Sequence, residues 1–146
     1  MKVMVAIDNS ECSRYALSWA LRNLLSSDSH LIIFSAQPVL EFSYFFITST
    51  YADLVSDLQE NLKSATLALL KEAKDVCSQH GIVSETATEV GQPKEVICEA
   101  VKKHDIQLLV MGSHGRGAIQ RAFLGSVSDY CIHNAKCPVL VIRKPT

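Results

Sequence analysis

Two stretches in the second half of the chain have the residue types and the spacing of a phosphate-binding loop. The first is Gly112-Ser113-His114-Gly115-Arg116-Gly117, and the second, Gly125-Ser126-Val127-Ser128, follows shortly after it. Glycines allow the backbone to approach a ligand closely and to adopt positive φ where a turn requires it. Gly125-Ser126 is expected to open a helix whose free N–H groups and dipole attract an anion, with Ser126 and Ser128 adding hydroxyl donors. Together the two stretches predict a site that holds a polyphosphate without a net basic charge.

Two other phosphate-binding motifs are not supported. A Walker A loop requires lysine after its second glycine, and Gly112 and Gly117 have the glycine spacing, but Ala118 follows them. The dinucleotide-binding fingerprint requires a third glycine, which the run from Gly115 to Gln120 lacks, and this run also follows the wrong strand. The sequence therefore supports neither a P-loop NTPase nor a nicotinamide-dependent enzyme. Arg116 and Arg121 are either phosphate ligands or plain surface charges.

The elements that must position these loops alternate between strands and helices. Short apolar runs predict buried strands over residues 3–7, 31–36, 108–111 and 139–142, and a mixed stretch at 82–90 predicts an exposed edge strand. Apolar stripes predict helices from residues 8–10 to about 26, over 54–76, from 93, and from about 126 to 135. The aromatic-rich residues 38–51 have no period and are expected to form a long loop. This order predicts one α/β domain over residues 1–146, a parallel, doubly wound sheet with helices on both faces.

Composition narrows the class of protein further. The formal net charge of -1 argues against nucleic-acid binding, which normally requires a strong basic excess. Five cysteines, an odd number with no C-x-x-C pair, predict reduced thiols in a reducing compartment. The first apolar run is too short for a signal peptide or a membrane helix. We therefore expect a cytoplasmic protein with no nucleic-acid or membrane partner.

In an open α/β sheet, ligands bind beyond the carboxyl ends of the strands, at the point where the strand order reverses. The loops at residues 8–10 and 112–117 are expected to flank that point.

The glycine pattern G-x2-G-x9-G-S, formed by Gly112, Gly115, Gly125 and Ser126, resembles the ATP-binding signature of universal stress proteins. The resemblance extends over nearly the whole chain through four motifs: V-x-V-A-I-D at Val3–Asp8, M-G-S-H-G-R-G at Met111–Gly117, L-G-S-V-S at Leu124–Ser128, and C-P-V-L-V-I at Cys137–Ile142.

The resemblance implies a three-layer, Rossmann-like fold of the adenine nucleotide alpha-hydrolase-like type, with five strands in the order 3-2-1-4-5. It implies ATP, or AMP or ADP, as ligand, with Mg²⁺ accompanying the nucleotide. The site residues that it implies are Ala6, Ile7 and Asp8 at the adenine and ribose, Ala36 against the base, Met111, Gly112, His114 and Gly115 around the ribose and phosphates, and Gly125, Ser126, Val127 and Ser128 at the phosphate tail. One departure is Ser35-Ala36, where many relatives carry His-Val; a smaller side chain there is expected to loosen the contact with adenine.

The resemblance also implies a homodimer through the last strand, Val139–Ile142, which otherwise would be a hydrophobic sheet edge. The function it indicates is a nucleotide-binding stress-response or signalling module with slow or no hydrolysis, at most a slow ATPase. Two alternatives stay open: a phosphoryl or adenylyl transfer enzyme that uses His114 or Ser126, and a chaperone-like dimer with a vestigial pocket.

Several residues have simpler interpretations beside the functional ones. His114 is expected to bond phosphate or backbone rather than act in catalysis, and Ser126 is expected to cap its helix and donate to phosphate. Asp8 either caps the following helix or contacts ribose or Mg²⁺. The group of Cys131, His133 and Cys137 matches no zinc spacing and is expected to pack in the core, as are Trp19 and the leucine stripe over 54–76.

Overall fold

The computed structural model describes residues 1–40, 49–114 and 124–145. Nine elements follow one another along the described chain: β1 (Lys2–Ala6), α1 (Glu11–Asn23), β2 (His30–Gln37), α2 (Ser49–Gln79), β3 (Ser84–Val90), α3 (Pro93–Lys103), β4 (Leu108–Gly112), α4 (Ser126–Asn134) and β5 (Val139–Ile142). The predicted Gly115, Arg116 and Arg121 lie outside the described residues, as does most of the predicted loop at 38–51. Each of the nine elements corresponds to a strand or helix that the sequence predicts.

The five strands form one parallel sheet in the order β3-β2-β1-β4-β5. Its central strand is β1, where Met4 lies opposite Ile32 of β2 on one side and Leu109 of β4 on the other. The strand order reverses between β1 and β4, because β2 and β3 follow on one side of β1 and β4 and β5 on the other. This confirms the predicted strand order and places the switch point between β1 and β4.

Helices cover both faces of the sheet, and the alternation of side chains along β1 divides the core in two. Val3 and Val5 point into a cluster with α1 and α2. Met4 and Ala6 point into the opposite cluster, with α3 and α4. Because both faces of β1 are covered, its residues from Val3 onward are buried. The three-layer prediction is confirmed.

The predicted extent of α2 is wrong at its beginning. The helix begins at Ser49, inside the stretch predicted as loop, and its 31 residues make it about 46 Å long. The eight residues of β2 span only about 26 Å. The first part of α2 therefore extends past the sheet, and Leu54 and Leu58, predicted as core, are 53% and 37% exposed. In the later part of the stripe Ala73 is buried in the core and Leu69 and Val76 pack against it. Leu70 and Cys77, which the stripe did not include, are buried there as well.

The other boundaries differ by a few residues. Helix α1 ends at Asn23 rather than near Ser26, because the N–H groups of Leu24 and Leu25 both donate to the carbonyl of Ala20 and so close the helix. Strand β1 ends at Ala6 and β3 begins at Ser84. Both β3 and β5 are sheet edges, as predicted. Among the described residues, none of the helices combines the length and the hydropathy that a membrane span requires.

Candidate functional site

A pocket of about 680 Å³ opens at the carboxyl ends of β1, β2 and β4. Helices α1, α3 and α4 each begin at this edge of the sheet, since each follows a strand that ends there, and residues from the first turns of all three line the pocket. Every predicted site residue that the structure describes lines it as well: Ala6, Ile7, Asp8, Ala36, Met111, Gly112, His114, Gly125, Ser126, Val127 and Ser128. The structure thus brings together residues that are more than a hundred positions apart in the sequence.

The turn from β1 into α1 is fixed by side-chain hydrogen bonds at the pocket edge. The carboxylate of Asp8 accepts from the N–H of Ser10 at 2.8 Å, and the hydroxyl of Ser10 accepts from the N–H of Ser13 at 3.2 Å. The buried Ser13 hydroxyl donates to the carbonyl oxygen of Asp8 at 2.7 Å. Ser10 is therefore the N-cap of α1, and Asp8 supports the same turn. A contact between Asp8 and ribose or Mg²⁺ remains a prediction.

Opposite this turn, α4 is docked onto the end of β4. The N–H of Gly125 donates to the carbonyl of Ser113 at 2.6 Å, and the Ser113 N–H donates to Ile142 of β5 at 2.9 Å. The N-cap of α4 is Gly125, and Ser126 is the first residue of the helix, so the prediction that Ser126 caps it is wrong. The first N–H groups of α4 have no acceptor within the helix and are available at the pocket.

Ser128 takes part in this docking through its hydroxyl. It is 2% exposed, and its hydroxyl lies 3.1 Å from the carbonyl oxygen of Ser113 and 3.0 Å from that of Gly125. Both neighbours are acceptors, so the hydroxyl proton is directed toward the backbone. Ser126 and Ser128 were both predicted to donate a hydroxyl hydrogen bond to the ligand. Among the described residues, the Ser128 hydroxyl is bonded to the backbone and the Ser126 hydroxyl is not. Ser128 is left with its backbone N–H as the donor toward an anion.

Gly112 has a different role from the one the glycine pattern indicates. Its φ lies outside the left-handed region, and a Cβ built on it would lie 2.9 Å from the backbone carbon and oxygen of Cys12 in α1. Glycine is therefore required here for the close approach of α1 to β4. This contact holds the first turn of α1 against the pocket floor.

The other end of the pocket is mainly apolar, and no motif in the sequence predicts it. Residues of α2 form one side, which we call the α2 wall: Leu62, Ala65, Thr66 and Leu69. Pro38 after β2, and Pro93 and Ile97 of α3, line the same pocket. The signal that indicates the wall in the sequence is the i, i+3, i+4, i+7 spacing of its members with one threonine among aliphatic residues. That spacing equally predicts core packing, so the sequence alone does not distinguish a pocket wall from a core face.

The charges around the pocket are few among the described residues. Asp8 and His114 are its titratable lining groups, and the rest of its polarity comes from hydroxyl, amide and backbone groups.

Outside the pocket, the Lys144 side chain, which follows β5, donates a hydrogen bond to the carboxylate of Glu11 in α1. The hydrogen bond from Lys144 lowers the pKa of Glu11, and the same bond raises the pKa of Lys144. This exposed pair ties the beginning of α1 to the segment after β5.

Three of the five cysteines, Cys98, Cys131 and Cys137, lie in or against the core on the α3 and α4 face. Cys98 and Cys131 are buried with their sulfurs 3.9 Å apart, and Cys137 is half-buried beside them. Burial is the first cause that raises the pKa of Cys131 to about 12. Within the described residues, no group of three His, Cys, Asp or Glu side chains is arranged to hold a metal ion. Cys131 packs in the core as predicted, whereas the prediction is wrong for His133, which lies on the exposed side of α4.

The fold and the pocket define a doubly wound α/β protein with helix N-termini directed at a cavity on the switch point. Comparison with known proteins identifies the family. The model of the universal stress protein family matches residues 1–143, and the chain belongs to this family. A universal stress protein A-like protein of Arabidopsis thaliana is 32% identical, over 98% of this chain and 90% of the relative.

Two solved structures of similar proteins contain nucleotides. A universal stress protein family protein from Arabidopsis thaliana, with AMP bound, matches with a TM-score of 0.76 and 28% identity, over 100% of this chain and 93% of that one. A universal stress protein in complex with cAMP matches with a TM-score of 0.70 and 28% identity, over 97% of this chain and 96% of that one.

Proposed function

We propose that this chain binds an adenine nucleotide, ATP or its mono- or diphosphate, in the pocket at the switch point. The observation that carries the proposal is that one cavity joins a polar end, built from the N-termini of α1 and α4, to an apolar end at β2 and α2. Phosphates suit the polar end, because N–H groups at helix N-termini favour anions. A purine base suits the apolar end. The volume of about 680 Å³ lies within the usual range for small-molecule sites.

The two nucleotide-bound relatives support this proposal. Each covers nearly the whole chain at 28% identity, and the nucleotides named for them are AMP and cAMP. Both contain adenine, so adenine is the shared chemistry. The choice among ATP, ADP and AMP is the finer part of the proposal, and it depends on how the polar end accommodates the phosphate tail.

Magnesium fits this site only as a companion of the nucleotide. Asp8 is the carboxylate among the described lining residues, and one of its oxygens already accepts from Ser10. In nucleotide sites Mg²⁺ is held by phosphates and waters with one or two carboxylates. A single carboxylate at the pocket edge is consistent with that coordination.

We propose further that the protein acts as a homodimeric stress-response or signalling module with slow or no hydrolysis. For the dimer, the support is the position of β5 at the sheet edge, where Val139, Leu140 and Val141 are only partly buried. Antiparallel pairing with a second copy would cover this edge. Light scattering at micromolar concentration is expected to give a dimer for the wild type and a monomer for Val141→Lys. A monomeric wild type would contradict this part.

Nucleotide binding is tested by calorimetric titration of AMP and of ATP with Mg²⁺ into nucleotide-free protein. Gly125→Val is the test variant, because a branched side chain at the N-cap of α4 obstructs the approach of phosphate. Gly125 has φ -64° and ψ 156°, which valine adopts without strain. Ala135→Val is the matched control, since it places the same side chain at the other end of α4 with φ -67° and ψ 145°.

We expect micromolar binding by the wild type and by Ala135→Val, and at least a tenfold loss in Gly125→Val, since that is about the effect of losing one charge-assisted hydrogen bond. Equal affinity in all three proteins would place the phosphate elsewhere. No binding by the wild type would refute the proposal.

A further inference from the structure

Thr66 is the polar member of the otherwise aliphatic α2 wall. It lines the pocket together with Leu62, Ala65 and Leu69, and it is 7% exposed. A valine of the same shape would bury more apolar surface at this position. Threonine in the middle of a helix is also a weaker helix former than the leucine and alanine around it. The hydroxyl is therefore not explained by the packing or by the helix.

The hydrogen bond that Thr66 makes defines what its hydroxyl offers to a ligand. The hydroxyl donates to the carbonyl oxygen of Leu62, one turn earlier in α2, at 2.9 Å. This i−4 bond is the usual partner of a threonine inside a helix. A hydroxyl has one proton and two lone pairs. Since the proton is directed to Leu62, the oxygen is left as an acceptor.

The topology places Thr66 at the base end of the pocket rather than at the phosphate end. β4 lies on one side of β1 and carries the polar end, because α4 is docked onto the end of β4 and α1 packs mainly on β4 and β5. β2 lies on the other side of β1, and α2 packs on β2 and β3. A nucleotide with its phosphates at Gly125 and Ser126 therefore extends its base toward Ala36 and the α2 wall. The small Ala36 side chain leaves room for the base to approach this wall.

We propose that Thr66 selects purines with a 6-amino group against purines with a 6-keto group. This inference rests on the proposed nucleotide function. The exocyclic amine of adenine is a hydrogen-bond donor and suits the acceptor oxygen of Thr66. The keto oxygen of hypoxanthine or guanine is itself an acceptor, so it would face the lone pairs of Thr66 without a proton between them. A buried polar group left unpaired in this way is the physical basis of strong discrimination between similar ligands.

The test compares the affinities for AMP and IMP, which differ at the 6-position and in the proton on N1. Calorimetric titrations are made with the wild type, Thr66→Val, Thr66→Ser and Thr86→Val. Thr66→Val removes the acceptor and keeps the side-chain shape, whereas Thr66→Ser keeps the hydroxyl. Thr86→Val makes the same exchange on the exposed side of the edge strand β3, away from the pocket. Thermal unfolding of each variant shows that it is folded.

We expect the wild type, Thr66→Ser and Thr86→Val to bind AMP more tightly than IMP. In Thr66→Val the ratio of the AMP affinity to the IMP affinity is expected to fall about tenfold, which is the effect of losing one buried hydrogen bond. An unchanged AMP to IMP ratio in a folded Thr66→Val would overturn the inference, and so would a wild type that binds both equally. If the wild type binds neither nucleotide, the proposed function fails first, and that outcome is distinct from the other two.

Discussion

Replacing Gly112 with alanine tests how the pocket floor is built. The added Cβ would lie 2.9 Å from the backbone carbon and oxygen of Cys12 and 3.1 Å from its Cβ. Carbon atoms in contact are normally about 3.5–4.0 Å apart, so the backbones must separate by roughly 0.5–1 Å. β4 is held between β1 and β5, which leaves α1 as the element that moves. We expect the free energy of unfolding to fall by about 1–3 kcal/mol, as for other overpacked sites.

The assay is urea unfolding followed by circular dichroism, together with titration of AMP. Gly81→Ala is the control, because a Cβ at Gly81 meets open space but its φ is +73°. Its expected cost is conformational, about 1 kcal/mol, and nucleotide affinity is expected to be unchanged because Gly81 is not in the pocket. In Gly112→Ala, affinity is expected to fall as well, since the first turn of α1 carries the pocket edge.

An unfolding free energy of Gly112→Ala within about 0.5 kcal/mol of the wild type, the usual range for unstrained surface substitutions, would refute the predicted clash with Cys12. A crystal structure of the variant with α1 in its original position would refute it equally.

Three further predictions concern stability. Ser10→Ala removes the N-cap acceptor of the Ser13 N–H and is expected to lower the free energy of unfolding by about 1 kcal/mol in urea titrations, with Ser10→Asp close to the wild type; an equal loss in both variants would contradict the cap. The pKa of Cys131 rises from 9.0 in the unfolded chain to about 12 in the fold, so the unfolded state loses this proton first as pH rises. Stability is therefore expected to fall between about pH 9 and pH 12, by up to about 1.4 kcal/mol per pH unit. Guanidinium unfolding of Cys131→Ala should show a shallower pH slope, and parallel slopes would contradict this prediction. Asp105, which follows the C-cap of α3, has φ 51°. Because glycine adopts this φ without strain, Asp105→Gly is expected to raise the free energy of unfolding by about 0.5 kcal/mol in a denaturant titration. A free energy of unfolding below that of the wild type would show that the aspartate side chain offsets the strain.

Much of the sheet was predictable because its inner strands β1, β2 and β4 are buried on both faces. Val3–Ile7 and Val139–Ile142 are uninterrupted apolar runs, and helical stripes separate the strands, so a parallel, doubly wound order was the simplest solution. The strand order itself came from the family resemblance. The glycine-serine motif at Gly125 likewise indicated where α4 begins, although the capping residue proved to be the glycine rather than Ser126.

The apolar end of the pocket was not predictable from periodicity. Leu62 and Leu69 have the spacing of core residues, and the pattern does not say whether a helix face meets a sheet or a cavity. The exposure of Leu54 was missed for a related reason, because the stripe does not reveal that α2 is longer than the strand it packs on. The close contact of Gly112 with Cys12 depends on how α1 approaches β4, which no local pattern encodes.

The most direct test of the central claim, that an adenine nucleotide binds at the switch point, is a titration of ¹⁵N-labelled protein with AMP followed by amide chemical shifts. We expect the largest shifts at Gly125, Ser126 and Val127, with further shifts at Asp8 and Ala36 and little change along the edge strand β3. Shifts confined to residues outside the pocket, or no shifts at millimolar AMP, would contradict it.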